Sequence, residues 1–223
     1  MLLLNKRQQE IDRKDFFYPS SCHLLHNKVD LTNQFGVATV YGVSLGSTKI
    51  NYQDSSLKVA GGSYFSLNLS MQIKKFTIEA EAGVVIFIRY GYLGLNQLGL
   101  NSENTGRLTY IDGCTSTTLI SPPRYGDPSL NLLSFPAGTE QSFHRHPSLR
   151  FGVVLEGSGF ADTEKSPVRI SKNSVFSISE NELHRFRTTD KSMRVIAFHP
   201  DSDFGPKDND HVMLNRTYLL QKP

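Results

Sequence analysis

No run in this 223-residue chain approaches the ~20 consecutive apolar residues that cross a bilayer; the longest covers only residues 83–88. The N-terminal Met-Leu-Leu-Leu is four residues long and is followed at once by Asn5, Lys6 and Arg7. A signal peptide places its charges before a longer apolar stretch, so a leader is not expected. Cysteine is scarce too. Cys22 and Cys114 are far apart, which suits free thiols in a reducing cytosol better than a disulfide framework. An excess of one charge is also missing: 24 Lys+Arg against 21 Asp+Glu leave a formal +3, with no basic block of more than a few residues. Nucleic-acid binding therefore has no compositional support, and neither does a membrane partner. A cytoplasmic location is the expectation.

What the chain does have is strand texture. Its 38% hydrophobic and 20% charged residues are ordinary for a globular protein, and the length suits one large domain or two small ones. Residues 1–15 are polar, with too few apolar positions for a clear amphipathic face, and read as an arm or short helix. Pro19, His23 and His26 follow, with both histidines read as surface or loop residues. From Gly36 onward short β-type runs alternate with turn residues, at 37–43, 47–52, 55–59, 64–69, 71–80 and 83–90. Phe76, Ile78 and Ala80 alternate with Thr77 and Glu79, the period of a half-buried strand. Residues 93–107, rich in Gly, Asn and Leu, connect two halves. Strands resume at 107–112, 117–120 and 131–135. Many short strands at regular spacing predict an all-β sandwich or barrel.

The two halves are alike in sequence. Val-Tyr-Gly-Val-Ser-Leu-Gly at 40–46 resembles Arg-Phe-Gly-Val-Val-Leu-Glu-Gly at 150–157 with one residue missing. Downstream, Leu-Lys-Val-Ala-Gly-Gly-Ser-Tyr-Phe-Ser at 57–66 resembles Val-Arg-Ile-Ser-Lys-Asn-Ser-Val-Phe-Ser at 168–177. Two tandem units follow from this. The first lacks histidines where the second has three, so it reads as a scaffold.

The chemistry concentrates in residues 135–159, FPAGTEQSFHRHPSLRFGVVLEGSG. His144 and His146 are two apart, so on a strand both imidazoles point to one face. Such a pair is half of a first-row transition-metal site. A strand over 149–155 and a turn at 156–159 come next, then two short strands within 168–178. His184 follows the polar loop 179–182 and opens a strand running to Arg187.

These residues resemble the cupin superfamily. Its first motif is a glycine, five residues, His-x-His, three or four residues, a glutamate, six residues and a glycine. Here the positions are Gly138, His144, His146, Arg150 in place of the glutamate, and Gly157. In the second motif Asn173-Ser174 replaces the glycine-aspartate turn, Ser179 stands near the proline, and His184 is the histidine. The resemblance covers about residues 130–200, and residues 35–90 through the repeat. It implies a jelly-roll β-barrel with His144, His146 and His184 facing inward on Fe, Mn, Ni, Zn or Cu; the alternative is a metal-free barrel whose histidines are hydrogen-bonded internally. The polar start and the repeat divide the chain into an N-terminal arm (1–34), a degenerate cupin-like half without metal ligands (35–106) and a three-histidine cupin barrel (107–223), and the resemblance implies dimers. His144-Arg145-His146 with Leu149-Arg150-Phe151 is similar to the first motif of gentisate and salicylate ring-cleaving dioxygenases, although the spacing from His146 to Arg150 is shorter. Those enzymes use Fe(II) on three histidines and act on carboxylated substrates. Fe(II) is thus the favoured metal, and a small anionic molecule the expected ligand.

Arg150 leaves two readings open. It clamps a ligand carboxylate by bidentate hydrogen bonds, or it turns aside to an acid such as Glu156 or Asp127. Near a divalent metal an uncompensated guanidinium would weaken binding. His199 either caps a loop or points into the barrel as a contact beyond the ligands. Arg124 and Tyr125 either line the barrel mouth or belong to a surface loop. Phe143, Val154, Phe176, Phe186 and Phe198 are the candidate apolar wall. Asp201, Asp203, Asp208, Asp210 and His211 miss the spacing of a calcium loop and read as a solvated loop.

Overall fold

Alternation of β-branched and aromatic residues with small or polar ones favours strands with one face buried. The computed structural model, which describes residues 1–4, 10–14, 17–100 and 103–201, has seventeen strands among them. In chain order these are β1 (Leu2–Leu3), β2 (Glu10–Arg13), β3 (Ser20–Asp30), β4 (Ala38–Ser44), β5 (Thr48–Tyr52), β6 (Ser55–Val59), β7 (Tyr64–Leu69), β8 (Phe76–Tyr90) and β9 (Gln97–Gly99). Then come β10 (Leu108–Thr109), β11 (Thr115–Ile120), β12 (Ser129–Phe135), β13 (Arg150–Thr163), β14 (Val168–Ser171), β15 (Val175–Ile178), β16 (His184–Arg187) and β17 (Met193–His199). Among the described residues no helix is long and apolar enough to cross a membrane.

The strands form two sheets that repeat one order. The first runs β3-β8-β4-β7-β9, and the second runs β12-β17-β13-β15-β1. The register repeats as well. Gly42 lies opposite Phe65 and Gly152 opposite Phe176, and in both places the ring covers the glycine so closely that a Cβ would collide with it. The sheets differ at that edge: β1 from the N-terminus crosses over to pair with β15, while β9 pairs with β7 of its own half.

Three sequence expectations need correction. Where an arm or short helix is expected, the described residues among 1–34 form strands: β3 is an 11-residue strand along β8, β2 pairs with it, and β1 joins the far sheet. A bulge between Leu25 and Asn27, with Asn27 at φ 62°, shifts the side-chain phase and hides the period. Residues 71–90 hold one strand from Phe76 rather than two, bent at Gly83. Likewise β13 continues through 156–159, where a turn is expected. Its first half pairs with β15 and β17 and its second with β14 and β16. Gly157, at φ 77° and pressed on the Ser192 carbonyl, bends it. A glycine bend inside a strand looks like a turn in sequence.

Aromatic residues join the sheets. Phe87 stacks on Phe198 at 5.4 Å, with Tyr41 on Phe198 at 5.0 Å and Phe87 on Phe151 at 6.0 Å. By register Tyr41 matches Phe151 and Phe87 matches Phe198, so the contact is nearly self-complementary, as in a two-fold dimer. Inside the first barrel Leu31, Phe65, Phe76, Ile78, Ile86 and Ile88 fill the centre. The second barrel is hollow.

Candidate metal centre

Backbone pairing sets the site. His144 and His184 form an isolated bridge, each N–H donating to the other's carbonyl at 2.9 and 3.0 Å. The His146 carbonyl accepts from Asn181 N–H at 2.8 Å. Gln141, 1% exposed, ties the same segment to β16: its Oε1 accepts from Phe186 N–H at 3.2 Å. The three imidazoles therefore converge. Ring centroids are 5.1 Å apart for His144–His146, 4.5 Å for His144–His184 and 5.1 Å for His146–His184. One potential ligand atom from each lies within 4.8 Å of the others.

Two of the three second nitrogens are already committed. His144 Nδ1–H donates to the Ser142 carbonyl and His184 Nδ1–H to the Glu182 carbonyl, both at 2.8 Å. This fixes the tautomer and leaves each Nε2 lone pair for a ligand bond. His184 Nε2 is buried and has no hydrogen-bond partner, an arrangement that costs about 1–3 kcal/mol unless something occupies it. Burial pushes the His184 imidazole down to about 4, and burial together with Arg150 pushes His146 down to about 2. Both stay neutral at physiological pH, the form a metal requires. Donor set, tautomers and the orphaned nitrogen all fit a divalent transition metal.

A cavity of about 320 Å³ adjoins the histidines. Period-2 pairs line it: Asn131 and Leu133 on β12, Phe176 and Ile178 on β15, and Val195, Ala197 and His199 on β17. Phe176 and Phe186 line it as expected, but the other three wall candidates do not. Phe143 is 48% exposed under the Arg185 guanidinium, and Phe198 faces the other sheet. Val154 packs in the core cluster that includes Phe176 and Phe186.

Arg150 opens β13 at 3% exposure and lines the cavity. Its Nη1 donates to the Ser148 and Leu149 carbonyls at 3.1 and 3.0 Å and to Ser148 Oγ. Its acid is Asp201, at 3.8 Å, which also accepts from Ser148 Oγ. The acids expected from sequence are engaged elsewhere, Glu156 with Arg194 and Asp127 with Arg124. Asp201 offsets the guanidinium charge next to the histidines. The remainder of the acidic cluster, Asp203, Asp208, Asp210 and His211, lies outside the described residues.

His199 is at the cavity wall, its ring 6.5 Å from His146. Arg124 and Tyr125 are not. A turn closed by Asp127 N–H to the Arg124 carbonyl, with Gly126 at φ 86°, curls their loop outward. Arg124 pairs with Asp127 and covers the Tyr92 ring, and Tyr125 is 61% exposed. His23 differs from expectation too: it is buried and hydrogen-bonded to Ser21 Oγ at 2.7 Å. Sequence reasoning passed over Asn131, Gln141 and the partnership of Asp201. The alternation 131/133 and 195/197/199 was the available clue to the cavity wall.

Comparison with known proteins agrees with this geometry. Residues 131–199 match the family model of the cupin domain. No curated protein matches the chain in sequence. Among solved structures, the putative glyoxylate-induced protein of Pseudomonas aeruginosa aligns with a TM-score of 0.64 at 12% identity, covering 89% of this chain and 81% of that one. A cupin 2 conserved barrel domain protein from Leptotrichia buccalis aligns at 0.58 and 16% identity, over 85% and 86%. Salicylate 1,2-dioxygenase from Pseudoaminobacter salicylatoxidans, as its gentisate adduct, aligns at 0.59 and 9% identity, over 81% and 67%.

Proposed function

Because the chain carries a cupin domain in a fold shared with cupin barrel proteins, we propose that His144, His146 and His184 hold a divalent transition metal and that the cavity beside them takes a small carboxylated molecule. Fe(II) is the favoured metal and dioxygenase chemistry the favoured reaction, with Zn, Mn, Ni and Cu as other occupants. The observation that carries this is the convergence of three imidazoles, two with Nδ1 committed to carbonyls, on a cavity whose wall combines apolar side chains with a few polar ones and one guanidinium.

When bound, Fe(II) would supply open coordination positions for a chelating substrate and O₂. The chain's own residues do the rest. Arg150, positioned by Ser148 and Asp201, receives the carboxylate and orients the ligand. Phe176, Ile178, Phe186 and Val195 exclude water from the reacting end. The dioxygenase of P. salicylatoxidans supports this reading as a precedent on the same fold. Residues 107–223 would then be the metal-binding barrel and 35–106 its scaffold.

A second reading, a non-catalytic module that senses or sequesters a small anion or metal, is favoured by Arg150 standing where the cupin motif has its carboxylate. Metal analysis after expression with iron, zinc and manganese supplied tests the metal centre; sub-stoichiometric metal removes it. Oxygen uptake by Fe(II)-loaded protein against small acids and hydroxybenzoates then separates the readings. Full metal occupancy without uptake leaves the binding module.

A further inference from the structure

The hollow barrel contains a buried polar atom that neither metal binding nor the carboxylate contact uses. Asn131, in the middle of β12, is 4% exposed and lines the cavity. Its Oδ1 is buried without a hydrogen-bond partner. With His199 Nε2 as acceptor, the contact from Asn131 Nδ2 at 3.4 Å turns the amide N–H toward the imidazole and leaves the carbonyl oxygen as an acceptor on the wall. Buried acceptors are almost always satisfied, because leaving one unpaired forfeits its solvation.

The other sheet shows what this position does when the barrel is full. By register Asn131, opposite Ala197, corresponds to His23, opposite Ile86. There the polar group is satisfied inside the protein: His23 Nε2 meets Ser21 Oγ at 2.7 Å, and that hydroxyl meets Tyr90 OH at 2.7 Å. In the hollow barrel the same position keeps an open acceptor. Asn131 on β12 and Arg150 on β13 flank β17, so a ligand between them is read from two sides.

We infer that Asn131 is a specificity-determining residue: it selects ligands that carry a hydrogen-bond donor, a hydroxyl or amino group, at the end away from the carboxylate. This rests on the reading that the cavity takes a small carboxylated molecule. A site that hydrogen-bonds a ligand hydroxyl rejects the analogue lacking it, because its own buried group is then left unpaired.

The test is calorimetry on zinc-loaded protein with benzoate, 3-hydroxybenzoate and 4-hydroxybenzoate. At least one hydroxylated acid binds about tenfold tighter than benzoate. In Asn131→Leu that preference falls to about twofold or less, because benzoate no longer leaves a buried acceptor unpaired and binds more tightly, while zinc stoichiometry stays as in the wild type. Asn131→Asp, which keeps an acceptor, weakens all three acids but retains the preference. Equal affinities in the wild type overturn the inference, and that measurement needs no variant to fold. A preference that survives Asn131→Leu overturns it as well. If none of the acids binds, the carboxylate reading falls and takes this inference with it; binding without preference removes the inference alone.

Discussion

The two sheets share strand order, register and even the glycine under a phenylalanine ring, yet one encloses a solid core and the other a cavity. The difference lies in a few inward-facing positions. Leu31 N–H donates to the Phe76 carbonyl as His144 N–H does to His184, so Leu31 matches His144 and Phe76 matches His184. Through the same register Val40 matches Arg150 and Ile88 matches His199. Alternation that gives the strands their faces is common to both halves and sets the fold. Identity at four or five of those faces decides whether the centre packs or binds. Burying a large apolar side chain contributes about 1.5–3 kcal/mol, which the second barrel forgoes at each polar wall position. The first barrel and the aromatic contact between the sheets supply rigidity that the site needs, as expected where function breaks a packing rule.

Exchanging residues across the halves should have the largest effects. His184→Ala should abolish stoichiometric zinc or iron binding, exceeding the ~10–100-fold loss typical of residues that only orient ligands; retention of one equivalent in dialysed protein would remove the metal centre. Next in size are the reciprocal changes at the matched pair. Phe76→His opens a cavity and buries an unmatched polar ring, costing about 3–5 kcal/mol in urea unfolding. His184→Phe removes an orphaned nitrogen beside free volume and should leave the metal-free protein more stable by about 1–2 kcal/mol. Equal effects of the two exchanges would mean that the barrels are not packed differently.

How much of this was legible follows from the same contrast. The histidine spacing, the all-β class and the repeat are local patterns, and they survive in sequence. Phe65 and Phe176 could be matched because both follow a serine-containing turn of equal length. The N-terminal strands were hidden because the Leu25–Asn27 bulge breaks their period. Bent strands with internal glycines resembled turns. Asp201 could not be assigned to Arg150, since no local pattern links residues so far apart in the chain. Arg124 and Tyr125 precede β12 in sequence, but a single turn carries them away from the cavity.

A smaller effect compares the glycines. Gly42→Ala and Gly152→Ala each drive a methyl into a phenylalanine ring, Phe65 or Phe176. Phe65 is fully buried in the apolar cluster of the first barrel and borders a smaller cleft of about 230 Å³, whereas Phe176 borders the 320 Å³ cavity beside the histidines and can shift into it. Gly42→Ala should therefore cost about 2–3 kcal/mol and Gly152→Ala nearer 1 kcal/mol by urea unfolding. The reverse order would place the free volume in the wrong barrel.

The subtlest difference between the halves is electrostatic and appears only in acid. Asn51 opposite Thr77 in the first sheet corresponds to Asp162 opposite Arg185 in the second. Asn51 makes a neutral bond to Thr77 Oγ1 at 2.9 Å. Asp162 accepts from Arg187 Nη2 and Arg185 Nε, both at 3.0 Å, and the hydrogen bond from Arg187 holds its carboxyl below the usual range. A carboxylate depressed in the folded state stabilises fully above its unfolded value, about 3.9, and loses that contribution as pH falls through the folded value. Because the arginines are partly exposed, Asp162→Asn should cost only about 1–2 kcal/mol at pH 7. Below about pH 4 the wild type should lose stability toward the variant, so their urea midpoints converge. Asn51→Asp, with no arginine opposite, should be least stable at neutral pH and recover on acidification. Midpoints measured from pH 7 to 3 check both slopes, and parallel curves for wild type and Asp162→Asn would remove the ion pair as a stabilising difference between the halves.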